Sequence, residues 1–321
     1  MFAAINNAYE AQSWVYTGEQ QAQITKIRQE IARIEEQLKK DRPAWMQEYD
    51  AWEAELRKQQ IAWEPLIFTE LGSVSGLNHP TQEADKSLLM RGHTSADIFM
   101  IAAPDLKGVT GLRLEALNHG DLPHRGPGRS SVGTWVINEL EVLIKRPDAK
   151  DWEKVALVNA TADFSEPDQK QPDGKNAKGP VAYLIDGKDD SSWRADRGVG
   201  RRNQSSVAVM QFEKPLDVPP GTQIKIALKM GDMLGCGRLS ITRQPAPAAP
   251  AVPHDAVLAL ETPVNQRSAS QQAALFAAWR TSRPELQSYT DQIEVQWKSY
   301  PRSEEHTSEL QSHSFISYAV F

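Results

Sequence analysis

Residues Val109–Ile144, "VTGLRLEALNHGDLPHRGPGRSSVGTWVINELEVLI", decide how this chain is read. Leu112, Leu114 and Ala116 alternate with Arg113 and Glu115. A strand sends successive side chains to opposite faces, so this period of two predicts an apolar face turned inward and a polar face turned outward. A second apolar run, "TWVINELEVLIK", follows a polar loop broken by Gly and Pro. The same texture recurs in "PLIFTEL", "SADIFMIAAP", "KVALVNATADF", "SSVAVMQF", "TQIKIALKM" and "GRLSIT". In the fifth of these, Ile224, Ile226 and Leu228 alternate with Lys225, Ala227 and Lys229. About eight to ten short strands between turn residues predict an antiparallel β-sandwich over 64–244, since two such sheets can bury each other's apolar faces.

On either side of this region the period changes. Ile24, Ile27, Ile31, Ile34 and Leu38 recur at intervals of three and four, which puts one apolar seam along a helix. Asp41 and Pro43 interrupt it, with Asp41 placed to cap a second helix that carries Trp45, Tyr49, Trp52, Leu56 and Trp63 on one face. Residues 17–63 therefore read as a helical hairpin or kinked helix, a spacer whose seam is also a candidate for coiled-coil self-association. "RQPAPAAPAVP" (Arg243–Pro253) predicts a stiff extended linker over 245–254. Helical spacing returns in 255–301, where Leu275, Ala278 and Trp279 share a register, and this segment reads as the start of a downstream helical domain.

Composition excludes some functions. The 321 residues allow two or three structural units, and a net charge of -6 describes no nucleic-acid binder. Arg194, Arg197, Arg201 and Arg202 form the main basic patch and are diluted by acids. No run of about 18 apolar residues is present, so no membrane span is expected. The opening "MFAAINNAYEAQSWVY" lacks the pattern of a signal peptide, and Met1 reads as an internal methionine of a longer frame. Cys236 is the only cysteine, which excludes an internal disulfide or a CxxC site in these residues and reads as a small buried hydrophobe.

Several stretches carry candidate chemistry. "IDGKDDSSW" (Ile185–Trp193) is similar to the DG…W element of galactose-binding-like, jelly-roll sandwiches. Asp186, Asp189 and Asp190 are the candidate oxygen ligands for a structural Ca²⁺, against the alternative of an Asp-Gly turn with Trp193 as a core anchor. Sugar recognition needs an aromatic plane beside planar polar groups. Trp135, Trp152 and Trp193, with Arg194, Arg197 and Asn203, are the residues that could supply these, although each Trp also suits a core. His119, Asp121, His124, Arg125 and Arg129 crowd the loop Asn118–Arg129, which reads as a polar loop in preference to a metal site. Glu139 and Glu141 share a strand face without a companion base and read as solvated or salt-bridged, not as an acid and base pair. No catalytic constellation emerges.

The order of these pieces resembles a family, the large planctomycete multidomain cytochrome c proteins. "MFAAINNAYE" is similar to the close of that family's first uncharacterised helical domain, which would occupy 1–16. The blocks "GLRLEAL…GPGR…INELEV", "ATADFSEP", "VAYLIDGKDDSSW" and "LGCGRLSIT" follow in the family's order, and "VLALETPVNQRSASQQAALFAAWRTSRPEL" resembles the opening of its second such domain. The resemblance implies a fragment of an exported protein, periplasmic or at the cell surface, with haem c held only in an upstream domain outside this chain. The sandwich is then expected to be a non-catalytic binding module, with polysaccharide as the expected partner. The alternatives are a structural spacer, or the substrate-binding part of an extracellular redox or hydrolytic enzyme. The tail departs from all of this. Arg302–Ser312 reads, codon for codon, as a standard short-read sequencing adapter and Ile316–Phe321 as its continuation, with His313, Ser314 and Phe315 in the index gap. Residues 302–321 are accordingly expected to be a non-native tail without function.

Overall fold

A computed structural model describes residues 14–92, 97–169 and 177–303, so most of the 1–16 and 302–321 segments lies outside the described residues. The chain begins with α1 (Gly18–Asp41) and α2 (Trp45–Lys58). Thr17 caps α1 through a reciprocal pair with Gln20, each side chain accepting from the other's backbone N–H. Asp41 does not cap α2. It ends α1, where its carboxylate accepts from Gln37 and from the Tyr289 hydroxyl, and α2 begins after Ala44 without a side-chain cap.

Fourteen strands follow among the described residues. They are β1 (Glu64–Pro65), β2 (Phe68–Ser73), β3 (Thr81–Gln82), β4 (Leu88–Leu89), β5 (Ile98–Ala102), β6 (Val109–Ala116), β7 (Val136–Lys145), β8 (Glu153–Val155), β9 (Leu157–Ala162), β10 (Lys178–Gly179), β11 (Ser192–Trp193), β12 (Ser206–Leu216), β13 (Gln223–Asp232) and β14 (Cys236–Thr242). One sheet runs β3-β4-β14-β6-β12-β9 with β1 also on β14; the other runs β10-β11-β7-β13-β5-β2 with β8 also on β7. The pairings are antiparallel apart from the short β10–β11 contact. The chain is a mainly β, sandwich-like protein with helical extensions, and every apolar run quoted above contributes a strand. Leu112, Leu114 and Ala116 from β6 meet Ile224, Ile226 and Leu228 from β13 in the core between the sheets.

The outward face of the first sheet is not in water. Arg113 and Glu115, expected to be solvated, are buried because the C-terminal helices cover them. These helices are α3 (His254–Glu261), α4 (Ala269–Thr281) and α5 (Gln287–Lys298). The first residue of α3, His254, places its Nε2 2.9 Å from Glu115 Oε1. Arg238 of β14 holds the same carboxylate through two hydrogen bonds of 2.7 and 2.9 Å, and Arg113 lies 3.0 Å from it. Nearby, Asp163 accepts from the His254 backbone N–H at 2.9 Å and from Arg197 at 2.7 Å.

The two helical segments, far apart in sequence, form one layer. α1 lies along α5 and α2 against α4. Trp45, Tyr49 and Trp52 pack around Leu38, Trp279 and Leu286. Ile24, Ile27, Ile34 and Leu38 are buried inside the chain, which withdraws the expected seam from self-association. Residues 255–301 thus close on the hairpin of 17–63. The linker is docked as well: the Pro247 carbonyl accepts from Gln211, and the Ala249 N–H donates to the Thr161 hydroxyl. At the edge of the tail, the Arg302 carbonyl accepts from the Gln20 side chain.

Candidate functional site

The residues nominated from sequence go to different places. Trp135 and Trp193, 5% and 0% exposed, meet edge to face at 4.6 Å inside the sandwich core. Neither can offer a ring face to a ligand, because large apolar surfaces at the end of a sandwich are the first to be buried. The Trp193 indole N–H donates to the Phe164 carbonyl at 3.3 Å. Trp152 is half-buried on the outer face of the second sheet, where Lys225 sits over both its ring and that of Phe99. Arg197 is internal, bonded to Asp163 and the Ser206 hydroxyl and lying over Phe164. Arg194 faces Glu166 at 3.8 Å.

The Asp-rich turn is also committed internally. Asp186 accepts from the Lys188 N–H and the Ser191 hydroxyl, and Asp189 pairs with Lys229 at 2.9 Å, while Asp190 is exposed. Among the described residues no three His, Cys, Asp or Glu side chains gather to hold a metal ion. The turn covers Glu139, which is buried and accepts from the Gly187 N–H at 3.1 Å. It is therefore not solvated as expected, and among the described residues no basic side chain forms a salt bridge with it. Burial pushes its carboxyl up to about 7, with Asp186 and Glu141 adding repulsion against the Gly187 bond and Lys154. A folded-state pKa above the unfolded one stabilises the fold below pH 4.5 and loses that contribution as pH rises through 7. Glu139→Gln should therefore be more stable than the parent by about 2 kcal/mol at pH 8 and equal to it near pH 4.5, as read by urea unfolding at both pH values.

Asn203 leads to a different site. It belongs to the loop between β11 and β12, and it lines a cleft of 320 Å³ with Trp14, Tyr16, Arg28, Arg201, Arg202 and Tyr300. Its Nδ2 donates to the His124 carbonyl at 3.1 Å, and its own backbone carbonyl accepts from Asn118 at 3.0 Å. Its Oδ1 is buried without a protein donor. The Trp14 ring stacks on His124 at 3.6 Å, and the imidazole Nε2–H donates to the Ser131 carbonyl. His124 and Arg125 both take positive φ, 52° and 55°, so the Asn118–Arg129 loop is held in a conformation most side chains avoid.

The other wall is aromatic. Tyr16 meets Tyr300 edge-on at 6.3 Å, and Tyr300 stacks on Trp297 at 5.8 Å. Burial and the adjacent Tyr300 push the Tyr16 hydroxyl up to about 12, so it stays protonated and able to donate. Gly200, at φ 84°, runs beneath Tyr300, and a Cβ there would come within 2.8 Å of the ring. Arg201 reaches across to Glu294 of α5 through two bonds of 2.7 and 2.8 Å, and Arg202 bonds Asp196 at 2.9 Å. The Arg201 pair holds the loop to the helical layer, and the Arg202 pair closes within the loop itself. Sequence reasoning missed Tyr16, Arg28 and Tyr300 because they enter the cleft from both ends of the described chain. The paired arginines of the "GVGRRNQ" loop were the one local signal. The thiol of Cys236 is buried, and burial pushes it up to about 11, which removes it as a nucleophile.

With the fold and cleft in view, no protein-family model matches the chain, and no curated protein does.

Proposed function

We propose that this chain is a non-catalytic binding module whose ligand is a carbohydrate, bound in the cleft around Asn203. The observation that carries this reading is the meeting of the Trp14, Tyr16 and Tyr300 rings with Arg28, Arg201 and Arg202 in one concave polar site. Sugar faces stack on rings, while their hydroxyls both donate and accept; the arginines and Tyr16 would donate to them. Within the same reading the chain is part of a longer exported protein of the planctomycete cytochrome c type, with haem outside these residues.

A glycan array followed by calorimetry on the full chain tests it. Saturable binding should weaken by about tenfold or more in Tyr300→Ala and remain unchanged in Trp152→Ala, which lies outside the cleft. Absence of any glycan ligand, or equal binding by Tyr300→Ala, would overturn the assignment. A structural-connector reading draws support from Trp135 and Trp193 lying in the core and from the helices at both chain ends packing into one layer.

A further inference from the structure

Among the described residues the cleft around Asn203 is lined by three arginines, Arg28, Arg201 and Arg202, and by no aspartate or glutamate. In a chain with 42 acidic and 36 basic residues this selection runs against the average. A concave wall of one sign concentrates its field on whatever enters it. The three arginines differ in what opposes them. Arg201 is paired with Glu294 and Arg202 with Asp196, and neither acid belongs to the lining. Both arginines keep part of the side chain accessible, 28% and 20%, so their ion pairs do not withdraw them from a ligand.

Arg28 has no such opponent. It is exposed on α1, and its helical neighbours three and four residues away are Ile24, Thr25, Ile31 and Ala32, none of them acidic. Among the described residues no carboxylate forms an ion pair with it. Its charge is nonetheless felt on the aromatic wall. Burial and Tyr300 raise the Tyr16 hydroxyl, while Arg28 and Arg202 both pull it down, so two accessible cations stand near one hydroxyl of that wall.

A neutral sugar would take hydrogen bonds from these arginines and leave Arg28 without a counter-charge. A sugar bearing a carboxylate or a sulfate ester supplies that charge, and a guanidinium fork bonds such a group more strongly than it bonds a hydroxyl. A small inorganic anion would answer the charge and leave the rings of Trp14, Tyr16 and Tyr300 uncovered. Resting on the carbohydrate reading above, we propose that the ligand of this cleft is an acidic carbohydrate, whose carboxylate or sulfate group pairs with Arg28 while its ring lies against the aromatic wall.

Calorimetric titration of the full chain with matched pairs of oligosaccharides tests this: galacturonan against its methyl ester, hyaluronan against its carboxyl-reduced form, and keratan sulfate against its desulfated form. At least one acidic member should bind about tenfold or more tighter than its neutral counterpart, and its binding should weaken as salt is raised, because accessible charges are screened. The pair that shows the difference separates a carboxylate from a sulfate. Arg28→Gln should bring the acidic and neutral members level. Lys26→Gln, the same loss of charge on the same helix outside the cleft, should keep the preference. Both positions are exposed, and circular dichroism reports that the variants fold. Equal binding within every pair, binding of neutral glycans only, or a folded Arg28→Gln that retains the preference would overturn the acidic assignment and leave the carbohydrate reading standing. The absence of any glycan ligand would overturn both.

Discussion

Glu115→Ala should lower the stability of the chain by about 3–5 kcal/mol in urea unfolding at pH 7, the cost of removing one partner from a buried ion cluster. Glu115 is fully buried and answers three basic side chains at once: Arg238, Arg113 and His254. Without it two guanidinium groups lie beneath α3 with only the weaker fields of Glu261 and Asp85 to balance them, and the imidazole that anchors the helix loses its acceptor. Burial alone would raise the carboxyl, but the Arg238 hydrogen bonds, the His254 bond and the Arg113 charge outweigh it and hold the group down at about 2. The sign of the pH effect follows. A depressed folded-state pKa contributes stability above the ordinary value of 4.5 and loses it as pH falls through 2, about 3 kcal/mol in all. Acid titration of the unfolding free energy should therefore show a loss below pH 4.5 in the parent that is missing in Glu115→Ala. A variant within 1 kcal/mol of the parent at pH 7 would mean that the cluster does not hold α3 to the sheet.

Trp279→Ala should cost about 3–5 kcal/mol and strike the helices first. The indole is fully buried, with Phe276, Tyr49 and Trp45 at ring distances of 5.3, 6.1 and 6.4 Å, so its removal leaves a cavity where three helices meet. α1 and α2 bury their apolar faces against α3, α4, α5 and the turn residue Leu286 and not in the sandwich core. Hydrogen exchange should show lost protection in α1, α2, α4 and α5 while β6, β7, β12 and β13 keep theirs, because those strands draw on a separate core. Equal loss in both layers would show instead that helices and sandwich unfold as one cooperative unit.

The residues that were read well are those whose environment is set by near neighbours. Leu112, Leu114 and Ala116 face the core as their alternation indicated, and Ile24, Ile27, Ile34 and Leu38 are buried along one helix face as their spacing indicated. The misreadings concern what lies across from a face. Arg113 and Glu115 read as an outward polar face because nothing local announces His254 or Arg238, and the choice between core and ring platform for Trp135 and Trp193 stays open in the sequence because a Trp at a strand end suits either place. Asp41 had the residue type of a cap, but Tyr289 claims it from another helix. In the cleft, Asn203, a candidate sugar contact from sequence, is a lining residue, while Tyr16 and Tyr300 become its neighbours only through the pairing of α1 with α5.

By itself, then, the sequence determined the strands, their inward faces, the two helical segments and the sandwich class, because periods of two and of three to four are properties of the backbone that any window of the chain displays. Tertiary structure alone decided that the helices at both ends form one layer over the outer face of a sheet. It also buried the charges beneath that layer and assembled the aromatic and arginine cleft at its margin. Each of these depends on contacts between residues far apart in the chain, and such contacts leave no period in the sequence on either side.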